Sequence, residues 1–461
     1  MIIIRRAVAW VLFLTVIPNV LLYGNDADLP SFNLATFSAD VTIPLGHRCM
    51  GVLPTKSKKI VDPLYAHGFV LSGGEKPIVL CAVDWCEIRN GAYDQWRDAL
   101  AKAAGTTRDR VLVCSLHQHD APVTDSGAAK LLTDVGLKGE LYDEAFHDRT
   151  VKRVATALAD SLKDANRITH LGMGKARVEK VASNRRVVHS DGRVTFGRYS
   201  RSGGDRFHRE APEGLIDPQL KTLSFFNNDK PVLELHAYAT HPMSYYGRGE
   251  VSSDFVGLAR DRRQRDDFSV RQIYVSGCSG DITAGKFNDG SQDSRLRLTD
   301  RIYRAMVASR NDTRRVPLKQ VDFRNEPIAL KFHPHPTLTP DALSTTLQDE
   351  TKRVETRILA AMGLSSRHRI ARGQKIDLPC IDLGSAQIVL FPGEAFVGYQ
   401  LAAQKLRQKS FVMSIGYGEC WPGYIPTEAA FRDNFHDNWL WVAPGSEQIV
   451  NTALRQLLST R

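Results

Sequence analysis

The sequence predicts an α/β protein: a large mixed β-sheet flanked by helices, folded as a single domain with insertions. Three observations carry this expectation. Short, nearly continuous runs of apolar and β-branched residues recur along the chain, the pattern of strands buried on both faces. Segments with apolar residues at helical spacing lie between them, so strands and helices alternate. No linker rich in Pro, Gly or Ser divides the chain, and no repeat of about 20–50 residues is visible, which excludes solenoids and propellers.

In order, strands are expected over 78–83, 111–116, 223–226, 232–238, 272–275, 387–391 and 411–415. Helices are expected over 93–104 (stopped by Gly105), 146–162, 294–308, 340–362, 396–406 and 446–458. The stretch 311–380 is the best candidate for a boundary, since His333-Pro334-His335-Pro336 interrupts the pattern.

The chain has 461 residues, of which 43% are hydrophobic and 24% charged, enough apolar content to bury a core. Its formal net charge of +10 raises the question of nucleic acid. The densest basic stretch, 260–267 (RDRRQRDD), interleaves aspartates with arginines. No basic stripe with interleaved aromatics is present, so nucleic acid is not the expected partner.

Arg5 and Arg6 precede an apolar run over 7–23, interrupted by Pro18 and Asn19 and followed by polar residues 25–28. This is the form of a secretory signal. Residues 1–24 are expected to be a signal peptide, or an uncleaved anchor given the poor cleavage-site match. Residues 25–461 then form the single domain of an exported protein. Seven cysteines without a CxxC pair suggest neither a disulfide framework nor a cysteine-rich zinc site.

In α/β folds, function gathers where strands end. The run over 111–116 leads into His117-Gln118-His119-Asp120, where an extended backbone would place both imidazoles on one face. The run over 232–238 leads to His241, the run over 387–391 to Pro392-Gly393-Glu394, and the run over 272–275 to Gly280-Asp281-Ile282-Thr283. Imidazoles with one carboxylate are the donor set of a catalytic zinc that keeps a position open. His333 and His335 form a second HxH with no strand before them, and His236 reads as a core histidine.

These segments, in this order, resemble the neutral (non-lysosomal) ceramidases and their bacterial relatives from about residue 37 to residue 435. Asp40-Val41-Thr42-Ile43-Pro44 and Val83-Asp84 resemble the family's opening segments. Ser115-Leu116-His117-Gln118-His119-Asp120-Ala121-Pro122 stands at its HxH motif, and His241-Pro242-Met243-Ser244 at its second histidine motif. Gly280-Asp281-Ile282-Thr283, Pro392-Gly393-Glu394 and Gly423-Tyr424-Ile425-Pro426-Thr427-Glu428 complete the series.

The resemblance implies one Zn2+ held by His117, His241, Glu394 and Tyr424, and cleavage of an N-acyl amide bond by activated water. It implies His119 as general base, with Tyr424 and Thr283 stabilising the oxyanion or orienting the amide. Asp281 would orient its loop, and Asn184 with Arg185 would lie near substrate. Thr283 stands where the family has serine, and Ala284-Gly285 where it has Pro-Asn. The metal set is kept while the shell facing substrate has drifted. The ligand expected is a small N-acyl, lipid-like molecule, with contact to a membrane surface left open. No C-terminal β-sandwich domain is expected after the last helix. Two alternatives stand beside this one: a non-catalytic lipid- or carbohydrate-binding relative, and a hydrolase with a hydroxyl nucleophile.

Overall fold

A computed structural model describes residues 31–459; the expected signal segment, residues 1–24, lies outside them. Three mixed sheets follow one another along the chain. The first has β1 (Phe32–Asp40), β2 (Tyr65–Ser72), β3 (Ile78–Val83), β4 (Val111–Ser115) and β5 (Asn166–Ile168), in the order β4-β3-β2-β1-β5. The second has β6 (His170–Arg177), β7 (Gln219–Asn227), β8 (Lys230–Tyr238), β9 (Arg271–Ser276) and β10 (Arg314–Pro317), in the order β9-β8-β7-β6-β10. The third runs β11 (Asp322–Asn325), β12 (Pro379–Asp382), β13 (Ala386–Leu390), β14 (Phe411–Ile415). The fold class is the expected α/β, with the strands divided among several sheets.

The three sheets share a device. Each contains antiparallel neighbours and one parallel pair: β3 with β4, β8 with β9, and β13 with β14. A parallel pair needs a crossover, and each crossover carries a helix, at Asn90–Ala104, Asp254–Asp266 and Val397–Leu406. Both strands of a parallel pair end at the same edge. The three pairs therefore deliver six strand ends, the positions from which α/β folds build sites.

Alternation along the strands divides the core. On β3, Ile78, Leu80 and Ala82 join one cluster with Leu223, Leu235, Ile273, Ile388 and Met413 from the other two sheets. Val79, Cys81 and Val83 face the opposite side, in a cluster with Trp96, Leu100 and Val154 of the helices. This is the period-2 display of a strand covered on both faces, and it explains why 78–83 reads as an unbroken apolar run.

Two expectations needed adjustment. The helix read over 340–362 is two helices, Pro340–Gln348 and Val354–Ala371. The polar run Asp349 to Arg353 separates them. The two histidines of the HxH do not share an extended segment: β4 ends at Ser115, and His117 has the left-handed φ of 68°. That conformation is uncommon outside glycine and costs energy that surrounding structure must supply. The His117 amide donates to Trp85 O at 2.9 Å, holding the turn.

Candidate active site

His117 leaves β4, and His241 follows β8. Glu394 and Tyr424 follow β13 and β14, and are register partners in a two-residue parallel bridge. The turn before Tyr424 needs glycine: Gly423 has φ 59°, and a Cβ there would lie 1.9 Å from Trp439 O. Gly280 lies equally close to the opposite side, since a Cβ would meet Glu394 O at 2.1 Å.

The Nδ1 of His117 donates to Cys86 O at 3.0 Å. The Nδ1 of His241 faces two carbonyls, Ser279 O at 2.6 Å and Ile282 O at 2.9 Å. Protons held on both Nδ1 atoms leave both Nε2 atoms as lone pairs. Those lone pairs converge on one carboxylate oxygen: His117 Nε2 is 3.2 Å and His241 Nε2 2.9 Å from Glu394 Oε2. All three residues are buried, and their donor atoms lie within 4.8 Å of one another. The Arg185 guanidinium reaches only the His241 nitrogen, at 3.1 Å; His117 Nε2 and the Glu394 oxygen otherwise face each other as acceptors in a dry place and repel unless a cation or proton lies between them. Two imidazoles and a carboxylate are the donor set of a catalytic zinc, so the residues present fit the expected metal.

Arg185 ties the fourth expected ligand to this group. Its Nη1 donates to Tyr424 Oη at 2.9 Å and its Nη2 to His241 Nε2 at 3.1 Å. Burial raises the Tyr424 phenol well above its ordinary value, and the adjacent guanidinium opposes that rise. Where a proton lies between His117 and Glu394 it sits on His117: burial lowers the His117 pKa but Glu394 outweighs burial and raises it, and in return His117 and His241 hold the buried Glu394 carboxyl far below its usual range.

A cavity of about 300 Å³ opens on the cluster, lined by His117, His119, Arg185, Glu394 and Tyr424, with Met50, Val52, Met243 and Leu359 as apolar wall. His119 is buried, yet neither ring nitrogen has a hydrogen-bond partner. Burial and the neighbouring His117 and His241 keep its pKa well below the ordinary value, so the ring is a neutral base.

Asn184, Asp281 and Thr283 lie outside the cavity lining. Asn184 Nδ2 donates to Asp281 Oδ2 at 2.8 Å and to Leu215 O at 2.9 Å. Asp281 Oδ1 accepts from Val397 N at 2.8 Å. This places Asn184 and Asp281 as braces between the loops that carry Arg185, His241 and Glu394. The Thr283 hydroxyl accepts from Gly285 N at 3.2 Å, fully buried, and its backbone bridges to His241.

Several contributors carried no sequence signal that singled them out. Glu87 is fully buried; it accepts from Arg89 Nη1 and from Trp439 Nε1, each at 2.9 Å, and lies 4.0 Å from His117 Nδ1. An acidic residue at the exit of an apolar parallel strand is the hint that could have exposed it. Tyr417 stacks on His117 at 4.3 Å, and Tyr246 meets His119 edge-on at 4.8 Å. Asp437, Asn438 and Trp439 complete the wall from a loop without motif character.

No protein-family profile and no curated protein sequence matches this chain. Comparison of folds finds solved ceramidases. A ceramidase complexed with C2 superposes with a TM-score of 0.68 at 14% identity, covering 94% of this chain and 75% of that one. The neutral ceramidase of Pseudomonas aeruginosa superposes with a TM-score of 0.66 at 16% identity, covering 94% and 74%. The chain thus resembles these ceramidases in fold.

Proposed function

We propose that the protein is a zinc-dependent amidohydrolase that cleaves an N-acyl bond in a ceramide-like or other lipid-like substrate. The observation that carries this reading is the convergence of His117 Nε2 and His241 Nε2 on Glu394 Oε2 beside an unpartnered His119. His117, His241 and Glu394 would hold the ion, with Tyr424 as the fourth ligand. When bound, Zn2+ supplies a Lewis acid and a sink for developing negative charge.

The chain's own groups perform the rest. His119, neutral and unpartnered, takes a proton from the attacking water and returns it to the leaving amine. Arg185 fixes the Tyr424 hydroxyl and adds positive charge where the carbonyl oxygen becomes an oxyanion. Glu87 and Trp439 stiffen the His117 side of the cavity. The apolar wall of Met50, Val52, Met243 and Leu359 suits an acyl chain and excludes water from the reacting bond. Thr283, whose hydroxyl is engaged by Gly285, contributes through the His241 loop and not as a nucleophile. Residues 1–24 would export the enzyme.

Dialysis against a chelator should abolish release of fatty acid from N-acyl amides, and added zinc should restore it. Activity indifferent to both would refute the proposal.

A further inference from the structure

Beside His119 stands a thiol that the chemistry above does not use. All seven cysteines are buried and unpaired, and Cys86 is the one among them that lines the cavity. Its Sγ lies 4.0 Å from His117 Nδ1, but the proton of that nitrogen goes to Cys86 O, so the sulfur has no strong partner. Cys86 Sγ, a nitrogen of His117 and a nitrogen of His119 lie within 4.8 Å of one another.

His119 points to a ligand independently. It is 5% exposed, and neither ring nitrogen has a partner, which costs about 1–3 kcal/mol for each polar group left unsatisfied. His117, whose Nε2 is turned to Glu394, serves the first ion. Cys86 and His119 remain as a thiol and an imidazole side by side, a donor pair suited to zinc and softer cations and not to magnesium or calcium. The spacing is right for one ion between them. Bonds of about 2.3 Å to sulfur and about 2.0 Å to nitrogen put the two donors about 3.6 Å apart at a tetrahedral angle and about 4.3 Å apart in a line. Both values fall inside the 4.8 Å limit.

We propose that Cys86 Sγ and His119 form a second, inhibitory site for a thiophilic divalent cation, filled by Zn2+ when zinc is in excess. The inference rests on the amidohydrolase reading and deepens it by naming how that site is regulated. As the sulfur–metal bond forms, the thiol proton leaves to solvent; water completes the coordination. A neutral imidazole has a single lone pair, so His119 cannot both hold a cation and take a proton from the attacking water. Two divalent ions a few ångströms apart repel, so the second site fills after the first. Activity therefore rises with the first equivalent of zinc and falls with more.

The test adds Cd2+ to the zinc-loaded full chain. A thiolate-to-cadmium charge-transfer band should appear in the ultraviolet, because the first ion's ligands contain no sulfur. Cys86→Ala, which keeps the carbonyl that holds His117, should lose the band. Its hydrolysis of N-lauroylhexylamine, measured against its own uninhibited rate, should need at least about tenfold more Zn2+ for half-inhibition, since even a group that only supports a ligand is worth about 10–100-fold. His119→Asn, read by the band alone, should weaken cadmium binding by at least about tenfold, and it decides the matter if Cys86→Ala does not fold. No band in the wild type, a band or inhibition unchanged in Cys86→Ala, or unchanged cadmium affinity in His119→Asn overturns the second site. A variant-sensitive band in a wild type that hydrolyses no N-acyl amide would refute the amidohydrolase reading and leave the cation site standing.

Discussion

Glu394 and Tyr424 face each other as register partners across a two-residue parallel bridge. Neighbours in such register point to the same side, so a carboxylate and a phenol from separate strand exits enter the site together. Arg185 links the phenol to His241, and one carboxylate oxygen meets both histidines.

Replacing Tyr424 by Phe isolates the hydroxyl. The ring packs edge-on against Phe435 at 5.4 Å, and phenylalanine keeps that contact. The melting temperature should change little while zinc binds more weakly and kcat falls by about 10²–10³-fold, as for loss of a group that stabilises the oxyanion. Unchanged kcat would remove Tyr424 from the chemistry.

His119→Asn should lower kcat/KM by about 10²–10⁴-fold while leaving metal content unaltered, because His119 is outside the His117, His241, Glu394 triad. Loss of metal together with activity would make it a ligand instead.

Gly423→Ala should destabilise the protein by roughly 2 kcal/mol or more, since the new Cβ meets the Trp439 carbonyl in a left-handed backbone position. Chemical denaturation reads this directly. A midpoint equal to wild type would mean that the loop shifts freely, contrary to its role in aiming Tyr424.

His147 gives the fold a pH dependence. It is buried among Trp85, Trp96 and Tyr142. Burial, opposed by Asp148, lowers its pKa to about 4. Above about pH 6.5 it is neutral whether folded or unfolded. As pH falls from there towards 4, the unfolded chain takes up a proton that the fold resists, so stability declines by up to about 3 kcal/mol. His147→Phe should flatten this decline in urea midpoints measured between pH 7 and 4. An equally steep decline in the variant would locate its cause elsewhere.

The apolar strands were legible: β3 and β14 coincide with the runs over 78–83 and 411–415, because strands covered on both faces have no polar alternation to confuse them. β1 was hidden, since its Asn33, Thr36 and Ser38 interrupt the apolar pattern. The helix Asp254–Asp266 was hidden by its arginines, although Phe255, Val256 and Ala259 are buried. Residues at strand exits were legible as site candidates for the same reason that the strands were. Two classes were not. The left-handed turn at His117 is imposed by tertiary contacts, and Glu87 and the loop from Asp437 to Trp439 gain their roles only when distant segments meet.

The central claim is that His117, His241 and Glu394 hold one divalent ion. Elemental analysis of the purified wild type beside Glu394→Gln and His241→Ala tests it most directly. The account predicts one zinc per chain in the wild type and at least about a hundredfold weaker zinc binding in each variant, beyond the 10–100-fold typical of losing a group that only supports a ligand. Equal zinc in all three folded proteins would contradict it.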